Sequence, residues 1–70
     1  MKLEAKVKNC NTKKPVNMVV LVDADYVESD VDEVRAYIID ELEVLMPGEV
    51  NYDFEVENMD DILHDLEENA

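Results

Sequence analysis

The stretch "SDVDEVRAYIIDELEVLMPG", residues 29–48, decides the fold. Its apolar residues recur at spacings of three and four, the period of one face of an α-helix. These residues are Val31, Val34, Ile38, Leu42 and Leu45. Ser29 or Asp30 can cap the start, Glu33 completes a capping box with Asp30, and Pro47 with Gly48 ends the pattern. The stretch therefore predicts an amphipathic helix that must pack on an apolar surface.

Two strand patterns precede this helix. Residues 2–8 alternate with a period of two, and Leu3, Ala5 and Val7 form the apolar face. The stretch "VNMVVLVDA", residues 16–24, is apolar on both faces: Val16, Met18, Val20 and Val22 on one, Val19 and Leu21 on the other. This pattern indicates a central strand whose second face needs cover, from a partner chain for example. We expect the two strands to form a hairpin.

Two further elements follow the helix. "EVNYDFEVEN", residues 49–58, alternates and predicts a third strand that can lie beside either of the first two. We expect its Val50, Tyr52, Phe54 and Val56 to face the core. A shorter helix begins near Asn58, with Met59, Ile62, Leu63 and Leu66 facing inward. The sequence therefore predicts one acidic α+β domain over residues 1–70, with order β-β-α-β-α and both helices packed on one face of a three-stranded sheet.

Charge is divided unevenly along the chain. Residues 1–22 hold five lysines against Glu4, a balance of +4, whereas residues 23–70 hold 18 acids against Arg35, a balance of −17, so the total is −13. A domain this negative is a poor binder of nucleic acid or of anionic membranes, so we expect no direct contact with either. The longest apolar run, "MVVLV", is too short for a membrane span, and we expect a cytoplasmic protein.

The residues that catalysis needs are sparse. Cys10 is the single cysteine, so no internal disulfide can form, and we interpret it as a small turn residue. His64 is the single histidine and is predicted to be solvated on the short second helix. One glycine leaves no phosphate-binding loop. We therefore expect neither an enzyme nor a cofactor.

A calcium loop also fails when it is counted from Asp23. Loop position 5 is Val27, position 6 is Glu28 and position 12 is Val34. An EF-hand needs an oxygen ligand, a glycine and a glutamate at those positions. We expect loose association of divalent cations with the acidic surface, and no dedicated metal site.

Three acidic regions remain as candidates for binding a partner. On the long helix, Asp32, Glu33, Asp40 and Glu43 fall within about 100° of arc, opposite the apolar stripe. The full candidate set is Asp25, Glu28, Asp30, Asp32, Glu33, Asp40, Glu43, Asp53, Glu55, Glu57, Asp60, Asp61 and Asp65. Close like charges cost roughly a few tenths of a kcal/mol per pair, so their number in a small domain indicates that the negative potential is used.

A simpler interpretation is that these acids only keep the surface soluble. The lysines of the first strand could also neutralise acids of the third, if the two strands are neighbours. Lys6 and Lys8 would then pair with Asp53 and Glu55, and the binding surface would belong to the two helices and the loop before them.

In length, in net charge and in the acids of "SDVDEVRAYIIDELEVL", "EVNYDFEVEN" and "NMDDILHDLEEN", the chain resembles the small acidic DNA-mimic proteins that phages make early in infection. Among these it is most similar to a phage inhibitor of the bacterial histone-like nucleoid protein HU. The resemblance implies a non-enzymatic inhibitor, present in the host bacterial cytoplasm, that blocks the DNA-binding site of a basic protein. The basic first strand departs from a wholly acidic mimic.

Two other classes of function stay open. One is an intracellular partner-binding or antitoxin-like regulatory domain that uses its apolar faces, and the other is an acidic buffer for divalent metals. The two-faced apolar strand also suggests a homodimer through the sheet, supported by Val19 and Leu21.

Overall fold

The chain folds into a three-stranded antiparallel sheet with two helices packed on one of its faces, as the sequence predicts. The computed structural model describes residues 1–69. Its elements are β1 (Lys2–Lys8), β2 (Met18–Asp23), α1 (Val31–Leu45), β3 (Glu55–Val56) and α2 (Met59–Asn69). The expected order β-β-α-β-α is confirmed. Neither of the described helices is long and apolar enough to cross a bilayer.

The strand order is β2-β1-β3, so β1 is the central strand and β2 lies at an edge. The prediction of a central β2 is therefore wrong. In the antiparallel register, Ala5 lies opposite Val20 and Val7 lies opposite Val56. Beyond the two residues of β3, the Asn58 side chain continues the pairing: it accepts a hydrogen bond from the Lys6 amide at 2.9 Å and donates one to the Glu4 carbonyl at 2.8 Å. The third element therefore takes the free edge of β1.

The core lies between the sheet and the helices. Helix α1 packs mainly on β2 and α2 on β1. Alternate strand residues and the apolar stripes of both helices are buried there: Ala5, Val7, Val20, Val22, Val34, Ile38, Leu42, Ile62 and Leu66. Val31 and Leu45, which were expected in the stripe of α1, are exposed; they are the first and last residues of the helix.

Residues 49–58 are not the continuous strand that their alternation predicts. An isolated bridge joins Val50 to Asn11, residues 52–53 form a turn, and the ladder resumes only at Glu55. The Asn51 side chain accepts a hydrogen bond from the Asp53 amide at 3.1 Å, which is a local turn that competes with strand pairing. The turn points Tyr52 outward, and 55 % of it is exposed, whereas Val50 and Phe54 are buried as expected.

Helix α1 begins at a side-chain cap. The Asp30 carboxylate accepts hydrogen bonds from the amides of Asp32 at 2.8 Å and Glu33 at 3.2 Å. The second hydrogen bond of the expected capping box, from the Asp30 amide to the Glu33 carboxylate, does not form. The Glu33 carboxylate accepts a hydrogen bond from the Glu28 amide instead. The turn after the helix includes Gly48 at a φ of 75°, a backbone conformation that glycine adopts without strain.

Cys10 lies in the connection between β1 and β2, as its interpretation as a small turn residue expects, and its side chain is also part of the core. It is fully buried, and its Sγ lies 3.3 Å from the Val16 carbonyl oxygen that accepts its hydrogen bond. Burial raises the pKa of the Cys10 thiol above its ordinary value. Cys10 directly follows β1, and its amide also donates to the Val16 carbonyl, so the pairing of the hairpin continues through this residue. This position accounts for the burial of its side chain.

Candidate protein-binding surface

Helix α1 presents its carboxylates on the side away from the sheet. Asp32, Glu33, Asp40 and Glu43 are all exposed, as the helical period requires when Val34, Ile38 and Leu42 are buried. Among residues 1–69, no lysine, arginine or histidine nitrogen lies within 4.0 Å of these four carboxylates. Two of them have neutral partners. Glu43 accepts a hydrogen bond from the Tyr52 hydroxyl, and this bond raises the pKa of the Tyr52 phenol. Glu33 accepts a hydrogen bond from the Glu28 amide.

The segment before α1 supplies three candidates with different roles. The Asp25 carboxylate lies 3.7 Å from the N-terminal amine, which offsets its charge. Asp30 is occupied in capping α1. Glu28 is exposed and has no cation partner within the described residues, so it remains available to a partner.

Helix α2 adds a second acidic group. Asp60, Asp61 and Asp65 are exposed, and no cation within the described chain lies close enough to pair with them. Glu67 and Glu68 are exposed on the same helix, although they were not among the candidates. Their exposure could have been predicted from the sequence, because neither occupies one of the inward-facing positions of this helix, such as Ile62 and Leu66. Glu41 of α1 is a further exposed acid that was not included.

We call these exposed carboxylates of the two helices, together with Glu28, the helix-layer surface. Its members are Glu28, Asp32, Glu33, Asp40, Glu41, Glu43, Asp60, Asp61, Asp65, Glu67 and Glu68. Both helices lie on the same side of the sheet, so these acids belong to one layer of a body that measures 37 × 19 × 17 Å.

The strand acids belong to a different surface. In the register of β1 with β3, Glu55 lies opposite Lys8 on the sheet face that no helix covers. Glu57 lies on the same face, and its carboxylate is 3.5 Å from the Lys8 ammonium. Asp53 lies in the turn before β3 and has no cation within 4.0 Å in the described chain. The structure therefore separates Glu55 and Glu57 from the helix acids, whereas the turn that carries Asp53 lies against α1 through the contacts of Tyr52 and Phe54.

The lysines occur only on the sheet side and in the loop after β1. Lys2 lies 3.0 Å from Asp23, and Lys13 lies 3.1 Å from Glu49. The Asp23 carboxylate accepts a hydrogen bond from the Asp25 amide and another from Lys2, and both hold the pKa of Asp23 below its ordinary value. The same carboxylate raises the pKa of Lys2. Within 4.0 Å these lysines contact only acids outside the helix-layer surface, although the charge of Glu41 also contributes to the raised pKa of Lys2.

Arg35 is the single cation of residues 23–69, and it is bound to the backbone. Its Nη1 donates to the Phe54 carbonyl at 2.9 Å, and its Nη2 donates to the Tyr52 carbonyl at 2.7 Å. Its guanidinium carbon also lies 4.1 Å from the centre of the Phe54 ring. Arg35 therefore attaches α1 to the turn before β3 and does not form an ion pair with the acids around it.

One group of side chains on α2 could contact a cation. Ligand atoms of His64, Asp65 and Glu68 lie within 4.8 Å of one another, and all three residues are exposed. His64 Nε2 lies 3.8 Å from Glu68 Oε1, so the expected surface position of this histidine is confirmed. Because no buried side chain orients these groups, we assign no metal to them.

No protein-family model, no curated protein and no solved structure matches this chain.

Proposed function

We propose that the protein is a non-enzymatic DNA mimic that inhibits a basic DNA-binding protein by occupying its DNA-binding site. The helix-layer surface makes the contact. The resemblance to acidic phage proteins favours the nucleoid protein HU as the target, and we place the activity in the cytoplasm of the bacterial host.

The observation that supports this proposal is the set of carboxylates without cation partners on the helix layer. The chain has seven cationic groups at neutral pH: five lysines, Arg35 and the N-terminal amine. None of them lies within 4.0 Å of an α1 or α2 carboxylate in the described chain. A surface kept only for solubility can mix both signs of charge. The segregation seen here favours a surface whose potential attracts a partner.

The spacing of these carboxylates suits a DNA-binding groove. Three pairs of helix acids are three or four residues apart, which places their Cβ atoms about 5–6 Å from each other: Asp40 with Glu43, Asp61 with Asp65, and Asp65 with Glu68. Helix α1 with 15 residues extends about 22 Å, so its acids near the start and near the end are spread along it. Lysines and arginines of a DNA-binding protein contact phosphates along the duplex backbone. A rigid row of carboxylates can meet the same side chains and release the same bound counterions, without any sequence information.

Long-range attraction would make association fast. A net charge of −13 on a body about 37 Å long produces a strong negative potential. Opposite potentials raise association rates by factors of about 10 to 10³, and salt reduces this effect. The proposed complex should therefore form quickly at low ionic strength and weaken as salt is added.

A partner-binding domain that uses apolar contacts is the second candidate. One observation favours it: 58 % of Val19 and 52 % of Leu21 are exposed on the uncovered face of the sheet. Such a complex would depend on burial of this apolar patch. It would respond little to salt, since apolar contacts are not weakened by screening.

Capture from a bacterial lysate separates the two candidates. The immobilised chain should retain basic DNA-binding proteins at about 50 mM salt and release most of them by about 200 mM, because complexes with 6–10 charge contacts lose about 10³ to 10⁵ in affinity over that range. Free duplex DNA added at low salt should release the same proteins. Proteins that stay bound through both treatments, with no basic protein among those released, would favour the apolar candidate.

A further inference from the structure

The sheet face that no helix covers, which we call the open sheet face, is nearly balanced in charge. Its outward positions follow from the register, in which Lys6 pairs with Val19 and Glu4 with Leu21. The face carries three cations and four carboxylates: Lys2, Lys6, Lys8, Glu4, Asp23, Glu55 and Glu57. The remaining surface holds most of the net charge of −13 and repels another copy of the chain.

Four exposed side chains near the middle of the open sheet face lack a partner in the described chain, two of them apolar and two charged; Glu55, at the edge of the face, also has no cation within 4.0 Å. Val19 and Leu21 are more than half exposed. Glu4 and Lys6 are exposed as well, and neither has an oppositely charged group within 4.0 Å in residues 1–69. These four positions lie symmetrically around the cross-strand pair of Ala5 and Val20, one residue before and one residue after it on each strand.

From this symmetry we propose that the protein self-associates by stacking two open sheet faces. The two-fold axis runs across the strands, over the pair of Ala5 and Val20. Rotation about this axis reverses strand direction and keeps β1 over β1 and β2 over β2. Glu4 of one copy then faces Lys6 of the other, and Val19 faces Leu21. Each contact occurs twice, as an isologous interface requires.

The outer positions of the face are compatible with this arrangement. Lys2 faces Lys8 of the second copy, yet each lysine already has a carboxylate partner in its own chain: Asp23 for Lys2 and Glu57 for Lys8. The interface therefore places two ion pairs over two ion pairs around a centre formed by Val19 and Leu21 beside the complementary charges of Glu4 and Lys6. The helix-layer surfaces of both copies point away from the interface, so the stacked pair leaves the proposed inhibitory surface free.

The size of the face predicts a weak dimer. The three strands contain 7, 6 and 2 residues, and a spacing of about 4.8 Å between strands and about 3.3 Å along them gives roughly 240 Å² per copy. This area is well below the roughly 800 Å² per partner of a stable interface. We therefore expect association in the upper micromolar range. Added salt should strengthen it, because screening relieves the repulsion between two highly negative chains.

Sedimentation equilibrium up to about 1 mM protein, in low and high salt, tests the proposal. The wild-type mass should rise from the 8.1 kDa of one chain toward twice that value, and more readily in high salt. The variants Lys6→Glu and Glu4→Lys should each remain single chains, because like charges then face each other twice. Both positions are exposed on the surface, and circular dichroism can verify that each variant is folded.

Mixing these two variants provides the decisive test of the proposed contacts. A heterodimer of Lys6→Glu with Glu4→Lys places glutamate against lysine at both contacts, so two chains that do not self-associate should associate with each other. A wild-type protein that remains a single chain at 1 mM in high salt would overturn the proposal. Self-association of wild type without association of the mixed variants would also overturn it. The experiment contains no DNA-binding protein, so its outcome is independent of the proposed inhibition.

Discussion

Replacing Arg35 with alanine should cost the protein a large fraction of its stability. The guanidinium donates to two backbone carbonyls, those of Tyr52 and Phe54, and lies over the Phe54 ring. Hydrogen bonds from a charged donor contribute about 1.5–3 kcal/mol each when they are shielded, and the bond to Tyr52 is exposed and contributes less. The cation–π contact adds about 0.5–1 kcal/mol. We expect a loss of about 2–4 kcal/mol.

This loss is large for so small a domain. Typical stabilities of roughly 0.05–0.15 kcal/mol per residue give about 3.5–10 kcal/mol for 70 residues. For domains of this size each kcal/mol shifts the melting temperature by about 4–8 °C, so the Arg35→Ala midpoint should fall by roughly 10–25 °C. Urea unfolding at 25 °C, followed by circular dichroism, measures the free energy of unfolding directly.

Lys14→Ala is the matched control for Arg35→Ala. It removes the same unit of charge from an exposed side chain that forms no ion pair in the described chain. Its effect should stay within about 0.5 kcal/mol. The Arg35→Ala loss should persist at 0.5 M salt, because carbonyl hydrogen bonds and ring stacking are short-range contacts. Equal losses for the two variants, or a loss that disappears in salt, would show that Arg35 acts only through its charge and would refute the proposed attachment of α1 to the turn.

Three further predictions concern the isolated chain. Its melting temperature should rise by several degrees between low and high salt, because screening relieves repulsion among 18 acids in residues 23–70, and a flat midpoint would contradict this. Asp30→Ala should lower the free energy of unfolding by about 1 kcal/mol through loss of the cap on α1, whereas Asp40→Ala should not, and equal effects in urea titrations would argue against the cap. Burial raises the folded-state pKa of Cys10, so this thiol favours the folded state below its unfolded pKa, and that contribution is lost as pH rises above about 8.5. A thiol reagent should accordingly react with Cys10 much more slowly in the folded chain than in urea, and equal rates would contradict the burial.

The sequence predicts the helices and the first two strands because their apolar residues keep one period throughout. In α1, Val34, Ile38 and Leu42 meet the sheet as the spacing requires. In β1, Ala5 and Val7 do the same. In these segments the local pattern and the tertiary contacts favour the same structure, so the pattern alone is sufficient.

The third strand shows where the pattern is insufficient. Residues 49–58 alternate well, but Asn51 closes a local turn and Arg35 binds the carbonyls of Tyr52 and Phe54. Both effects depend on individual side-chain contacts that a hydrophobic pattern does not contain. The edge position of β2 also could not be predicted, because it depends on whether the third strand pairs with β1 or with β2.

The sequence predicted correctly that the candidate acids are exposed, but it predicted less accurately how they are distributed over the surface. All 13 are exposed, but Glu55 and Glu57 belong to the open sheet face with Lys8, and Asp30 caps a helix. This division of the acids was expected if the third strand lies beside the first, because the binding surface would then belong to the helices and the loop before them. The strand order meets that condition. The expected ion pairs of Lys6 and Lys8 with Asp53 and Glu55 are wrong, however: Lys8 lies beside Glu57, and Lys6 has no ion-pair partner in the described residues.

Binding of charge-matched variants to a purified target tests most directly whether the helix-layer surface carries inhibition. Each of three triple variants neutralises three acids and has a net charge of −10, so all three have the same overall charge. The α1 variant is Asp32→Asn with Asp40→Asn and Glu43→Gln. The α2 variant is Asp60→Asn with Asp61→Asn and Asp65→Asn. The control on the open sheet face is Glu4→Gln with Glu55→Gln and Glu57→Gln.

The assay is displacement of a labelled duplex from purified HU, measured at several salt concentrations. We expect at least one helix variant to lose tenfold or more in affinity, and its slope of log K against log salt to become shallower by about 1 for each contact removed. The sheet-face control should remain within about threefold of wild type. A control that weakens as much as both helix variants, with the same change in slope, would show that total charge alone governs binding and would contradict a dedicated helix-layer surface.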